Sequence, residues 1–246
     1  STMAPKRKVK ADKKAAPKKK TKTEMAAESP VEPEPAQPSR SPQTSKAKQG
    51  SKMSVAEVWS APYVEQGIMS QSGFSELCGR IGLEEMSFEA CYLMYLLVPN
   101  VEDVMTVCSS QSAFQKTVEG LGCRLVSDVP PKLQSKKAAM VGSFDMHSFQ
   151  PFFRWMFEMG KSISAMNTGA HVGVVRSVPI ETGLQLMEAV LSGWTLMAKF
   201  KAFCSAKDVA PFSKDLWTQI GRFAHLTSTG QIEPDLSNYE DDGDSA

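Results

Sequence analysis

The sequence predicts an all-α domain behind a basic tail, and three observations carry that prediction. Residues 149–161 place Phe149, Phe152, Phe153, Met156 and Phe157 at i, i+3, i+4, i+7 and i+8. That spacing gives one wide apolar stripe on a helix, and such a stripe must be buried. Helical spacing recurs through the rest of the chain from residue 53 on, whereas no stretch alternates apolar and polar residues for long enough to build a sheet. Composition also breaks near residue 52. Residues 1–52 carry fourteen Lys/Arg against five Asp/Glu, while the remainder carries fourteen against twenty-two, so a net charge of +1 conceals a basic tail on an acidic body.

In chain order, residues 1–52 contain almost no large apolar side chain and cannot offset the entropy of ordering, so they are expected to be disordered. Lys6, Arg7, Lys8 and Lys10 form a cluster suited to the acidic groove of a nuclear import receptor, and Lys18, Lys19, Lys20 and Lys22 form a second. The tail has no aromatic residue that could stack on bases, which favours import over nucleic-acid binding. Residues 53–246 read as one helical domain. A short helix is expected through Val55, Val58 and Trp59. A loop or short strand at residues 67–74 leads into a helix over 73–81, with Phe74, Leu77, Cys78 and Ile81 on one face. Further helices are expected over 87–97, with Phe88, Cys91, Tyr92 and Tyr95 in register, and over 109–122, ending at a glycine cap, Gly122.

Pro130 and Pro131 mark a joint, and residues 132–144 should form a connecting helix and turn before the aromatic helix. Residues 162–176 are small, polar and Gly-containing, and read as a long loop. Pro179 and Glu181 suit a helix start, followed by Ile180, Leu184, Met187 and Leu191 at helical spacing. The helix over 196–204 should turn Phe200, Phe203 and Cys204 inward. Ser213 should cap a last helix that buries Trp217, Ile220 and Phe223 or Ala224, and residues 235–246 read as an acidic, turn-like segment. Helix–loop–helix units in pairs suggest an EF-hand-like architecture without the oxygen-rich loop, so no calcium is expected.

The sequence carries no nucleophile elbow, phosphate-binding loop or zinc-protease signature. Cys78, Cys91, Cys108, Cys123 and Cys204 lie in or beside apolar helical patterns, no CxxC occurs, and His147, His171 and His225 are scattered. These features argue against a catalytic nucleophile, a disulfide framework, a metal site or a cofactor, and they point to a non-catalytic protein. No apolar run approaches the ~20 residues of a membrane span. The first residue is Ser, and both ends read as incomplete.

Particular stretches carry a resemblance. They are Gly73 and Phe74 through Leu77 and Cys78; Ile81, Gly82 and Leu83; Phe114 through Leu121, Gly122 and Cys123; residues 149–161; Ile180 and Glu181; Val190, Leu191 and Gly193; residues 213–217; and Leu236 through Gly243. In order and spacing they resemble the potentiating-neddylation domain of the defective-in-cullin-neddylation family, over about 180 residues. The resemblance implies a scaffold-type ligase factor, and the basic clusters of the tail suggest a nuclear location, with a cytoplasmic one beside it. Such a factor binds a cullin winged-helix domain and the acetylated N-terminal Met of the neddylation conjugating enzyme together. It implies a cullin-binding patch at Asp215 and Ala246, the family continuing beyond that alanine with further patch residues, so that the patch here is expected to be incomplete. It implies an apolar pocket for the conjugating enzyme at Phe74, Met86, Ala90, Leu93, Val107, Met159, Leu186 and Ala189, lying between the helices over 87–97 and 180–191. Met159 and Ala189 differ in bulk from the residues usual in relatives, and the loop expected at 162–176 is longer. Two other readings remain: a nuclear nucleic-acid-associated protein that uses the basic tail, and a calcium-free module that binds some other amphipathic helix.

Overall fold

The computed structural model describes residues 52–98, 100–101, 106–142, 146–207, 209–233 and 235. The all-α class holds, since the described residues are mostly helical. The basic clusters, including Lys6, Arg7, Lys8 and Lys10, lie outside the described residues, as does the acidic segment after Asp235.

Helix α1 (Val55–Trp59) is opened by Ser54, whose backbone N–H donates to the Glu57 carboxylate at 2.6 Å while its hydroxyl accepts from Glu57 N. This reciprocal capping box satisfies two donors that a helix start otherwise leaves free. Strands β1 (Val64–Glu65) and β2 (Ile68–Ser70) lead into α2 (Gln71–Ile81). Helix α3 (Phe88–Leu97), strand β3 (Thr106–Cys108) and α4 (Gln111–Gly120) follow. Serine caps recur: Ser70, Ser87 and Ser110 each accept from the backbone N–H three residues on. The end of α4 is closed at Gly122, at φ +72°, with Gly122 N donating to Glu119 O and Cys123 N to Val118 O. This is a Schellman closure, in which the left-handed position favours glycine.

Helix α5 (Val129–Lys137) runs into a wider turn over Ala138–Gly142. Then comes α6 (Met146–Thr168), the longest described helix. Strand β4 (Ser177–Val178), α7 (Ile180–Val190), α8 (Met197–Ala206), β5 (Phe212–Ser213) and α9 (Lys214–Ser228) complete the described fold.

The strands number two or three residues each, too short for alternation to be visible in sequence, yet they tie the helices together. Antiparallel β2 and β3 join the segment between α1 and α2 to the segment between α3 and α4. Antiparallel β4 and β5 do the same between α6 and α7 and between α8 and α9.

The stripe on α6 is the centre of the core: Phe149, Phe152, Phe153, Met156 and Phe157 are all buried. Phe152 meets Phe88 of α3 edge-on at 5.3 Å, and Phe153 stacks on Trp217 of α9 at 5.0 Å. The buried indoles also find acceptors. Trp155 Nε1 donates to Val98 O (2.6 Å), Trp217 Nε1 to Phe153 O (2.8 Å) and Trp194 Nε1 to Thr227 Oγ1 (2.8 Å). Each bond fixes one pair of elements in register while removing the cost of a buried, unmatched donor.

Two expectations are corrected. Residues 162–168 continue α6 rather than opening a loop. Their small polar side chains turn back onto carbonyls: Ser162 Oγ donates to Val101 O, Ser164 Oγ to Gly160 O and Thr168 Oγ1 to Ser164 O. Phe203, expected to face inward, is 56% exposed. The inward face of α8 is instead set by Met197, Phe200 and Cys204, with Phe200 against Trp194 at 5.7 Å.

Candidate functional site

Helices α2 and α3 run from one compact turn, and a cavity of about 60 Å³ lies between them. Phe74 and Cys78, four residues apart on one face of α2, form one wall, and Ala90, Cys91 and Met94 of α3 form the other. Met159 of α6 lies against both, and Met86, in the α2–α3 connection, stands at the mouth. The rim is polar: Gln71, Ser75 and Glu85 surround the opening, and Ser75 Oγ donates to Glu85 Oε1 at 3.0 Å. An apolar interior with a few polar groups at its edge is the usual make-up of a ligand pocket.

Met86 is the unusual member. Its backbone sits at φ +58° and its side chain is 39% exposed. A non-glycine residue in the left-handed region costs on the order of 1–3 kcal/mol, and such residues gather at binding sites and switches. Here the conformation holds the thioether over the pocket mouth, where an unbranched side chain with three rotatable bonds can swing aside. Met86 also borders a second, wider groove of about 410 Å³, lined by Ser87 and Phe88 on one side and by Gln185, Glu188 and Ala189 of α7 on the other.

Of the positions the resemblance implied, Phe74, Met86, Ala90 and Met159 line the pocket. Ala189 lines the neighbouring groove instead. Leu93, Val107 and Leu186 are buried in the core and face neither space. One pocket therefore lies between α2 and α3, with Met159 in its lining, and a separate groove that Met86 and Ala189 line lies between the start of α3 and α7, the two helices expected to flank the cleft. Helices α6 and α7 approach closely at Gly160, where an added Cβ would lie 2.9 Å from Leu186 Cδ1 and 3.0 Å from both Val178 Cγ atoms. Gln71, Ser75, Cys78, Glu85, Cys91 and Met94 complete the pocket; Cys78 and Cys91 were read from sequence as buried helix residues, and none of the six was assigned to a pocket. The Phe74–Cys78 and Ala90–Met94 spacings were visible signals, each placing two residues on one helix face.

Asp215 lies in the first turn of α9, one residue past Lys214 and two past the cap Ser213, whose Oγ accepts from Leu216 N at 3.2 Å. It is exposed, and its carboxylate accepts from Gln219 Nε2 at 2.9 Å. Leu216 beside it is also partly exposed. Ala246 lies outside the described residues.

All five cysteines are buried free thiols. Burial pushes the Cys78 and Cys91 thiols up to about 12, with a smaller contribution from nearby negative groups, so both are neutral at physiological pH and poor nucleophiles. Among the described residues no group of three His, Cys, Asp or Glu side chains is placed to hold a metal ion, and no helix is long and apolar enough to cross a membrane. No protein-family model matches the chain, and no curated protein matches it.

Proposed function

We propose that this chain is a scaffold-type factor for cullin neddylation. In this reading the α2–α3 pocket takes the acetylated N-terminal Met of the neddylation conjugating enzyme, and the face at Asp215 takes a cullin winged-helix domain. The observation that carries the reading is the apolar pocket gathered by Phe74, Met86, Ala90 and Met159. Phe74, Ala90 and Met159 come from three separate helices, and Met86 from the connection between α2 and α3.

The physical account is short. Burying a Met side chain contributes roughly 1.5–3 kcal/mol. Acetylation removes the terminal ammonium charge, whose desolvation in an apolar pocket would otherwise oppose entry. At 60 Å³ the pocket is small for a whole side chain, so entry requires Met86 to swing out over the wider groove that it also borders. Binding both partners on one rigid body would raise the effective concentration of the conjugating enzyme at the cullin. The buried, neutral cysteines support leaving the thioester chemistry to the conjugating enzyme. The strand bridges between paired helix–strand–helix segments support an EF-hand-like description of the domain.

The test is calorimetry with an acetylated N-terminal peptide of the conjugating enzyme. Ala90→Trp should fill the pocket, and Met86→Asp should place a charge at its mouth at an exposed position that tolerates the left-handed backbone. Both should abolish binding while the thermal unfolding of Met86→Asp stays close to that of the parent. If both variants bind as well as the parent, the pocket is not the peptide site.

A further inference from the structure

A larger cleft, of about 870 Å³, lies between the end of α3, one flank of α6, the turn after α6 and the start of α9. The proposed neddylation role does not use it. Its base is rigid: Trp155 Nε1 donates to Val98 O, and the buried Ser162 Oγ donates to Val101 O at 2.9 Å, holding the chain after α3 against α6. Its walls mix apolar and charged groups. Tyr95, Pro151 and Val172 give the apolar part, and among the described lining residues Arg154, Lys161 and Lys214 bring three positive charges against the carboxylate of Glu158.

The two lysines already share that carboxylate, with Lys161 Nζ 2.8 Å from Glu158 Oε2 and Lys214 Nζ 3.2 Å from Oε1. Burial acts to raise the Glu158 carboxyl, yet the hydrogen bonds and charges of the two lysines hold it below the usual carboxylate range. Among the described lining residues that one carboxylate leaves two positive charges unmatched. Arg154 is exposed and has no ion-pair or hydrogen-bond partner among the described residues, and Lys214 keeps 67% of its side chain exposed despite its bridge. A planar guanidinium open to solvent beside a lysine-bound carboxylate is suited to an incoming carboxylate in a bidentate pair.

We propose that this cleft is a docking site for an extended acidic peptide segment of a partner protein. The segment's carboxylates pair with Arg154 and Lys214 while its backbone crosses Tyr95 and Val172. The cleft's volume lies within the range of binding pockets. Charge complementarity selects the occupant, and the aromatics argue against nucleic acid. Trp155 is buried, and Tyr95 is packed against Phe152 at 5.5 Å and Trp155 at 5.6 Å, so neither offers a free face for a base.

The test uses the full chain and fluorescence anisotropy with a labelled peptide of alternating Glu and Ser, an alternating Gln and Ser peptide serving as the neutral control. Arg154→Glu combined with Lys214→Glu should weaken binding of the Glu peptide by about tenfold or more, because both cations face the ligand. Lys199→Glu combined with Arg222→Glu, exposed cations that do not line the cleft, should leave affinity within about twofold. Substituting Ala for Lys6, Arg7, Lys8, Lys10, Lys18, Lys19, Lys20 and Lys22 removes both basic clusters of the tail and should leave the cleft-dependent loss intact. Equal binding of the Glu peptide by parent and cleft variant would overturn the proposal. So would a loss that follows the tail substitutions alone, or equal binding of the Gln peptide.

Discussion

Replacing Gly183 by Ala should destabilise the fold, although Ala is the better helix former. Gly183 lies in α7, where an added Cβ would overlap Phe212 Cδ2 and sit 2.6 Å from Cε2. The ring cannot retreat. Phe212 is buried in β5, edge-on to Trp217 at 6.2 Å and beside Phe200 at 6.3 Å. Overpacking of this kind costs about 1–3 kcal/mol or more, and an aromatic overlap belongs at the upper end. Removing a helical glycine returns about 1 kcal/mol. The expected net loss is therefore roughly 2 kcal/mol, or a fall in Tm of about 4–8 °C for a domain of this size. Urea denaturation followed by tryptophan fluorescence measures it, with the m-value unchanged. Gly79→Ala is the internal control: Gly79 is in α2, exposed, with nothing within 4 Å of an added Cβ, and that substitution should gain up to about 1 kcal/mol. Combining Gly183→Ala with Phe212→Leu should recover part of the loss, with a coupling of about 1 kcal/mol. If Gly183→Ala is as stable as the parent, the packing of α7 on β5 described above is wrong.

Trp155→Phe should cost about 1–3 kcal/mol, because Val98 O loses its donor inside the core, and chemical denaturation will report it. Burial keeps the Cys78 and Cys91 thiols protonated up to about pH 12 in the folded state, whereas an unfolded thiol ionises near its ordinary value of 9.0; stability should thus fall as pH rises from about 9 toward 12, and native alkylation by iodoacetamide should be slow at pH 8.5 compared with the denatured chain. Asp215→Lys should leave stability within about 0.5 kcal/mol, since the residue is exposed, while weakening cullin winged-helix binding in a pull-down. Substituting Ala for Lys6, Arg7, Lys8 and Lys10 should move a fluorescent fusion too large to diffuse out of the nucleus; an unchanged nuclear signal would remove the import assignment.

Much of the helical order was legible because burial on helices leaves a period. The α6 stripe, the Ser213 cap, the Gly122 closure and the Pro179 start all stand in the structure where the residue types placed them. Residues 162–168 were misread because Ser and Thr favour loops in isolation, whereas here their hydroxyls bond carbonyls of α6 and of Val101. Apart from β2, which falls where a loop or short strand was expected, the short strands were invisible because two or three residues cannot show alternation. Phe203 was misplaced because one residue beside Cys204 is enough to leave the inward face of α8.

The pocket was half legible. The Phe74–Cys78 and Ala90–Met94 spacings suit walls, but what closes the pocket depends on how nearly α2 and α3 approach Met159 of α6. That is a tertiary distance no local pattern encodes. The left-handed backbone of Met86, which sets the mouth, has no residue-type signature, because methionine is not a residue that favours it.

The most direct test of the central claim is methyl NMR on the full chain labelled at methionine, titrated with the acetylated N-terminal peptide of the conjugating enzyme. Met86, Met94 and Met159 line the pocket, whereas the buried Met140 and Met197 do not. The account predicts saturable shifts of the first three methyls, largest for Met86 as it leaves the mouth, with Met140 and Met197 unmoved. Shifts confined to other methionines, or none at saturating peptide, would contradict it.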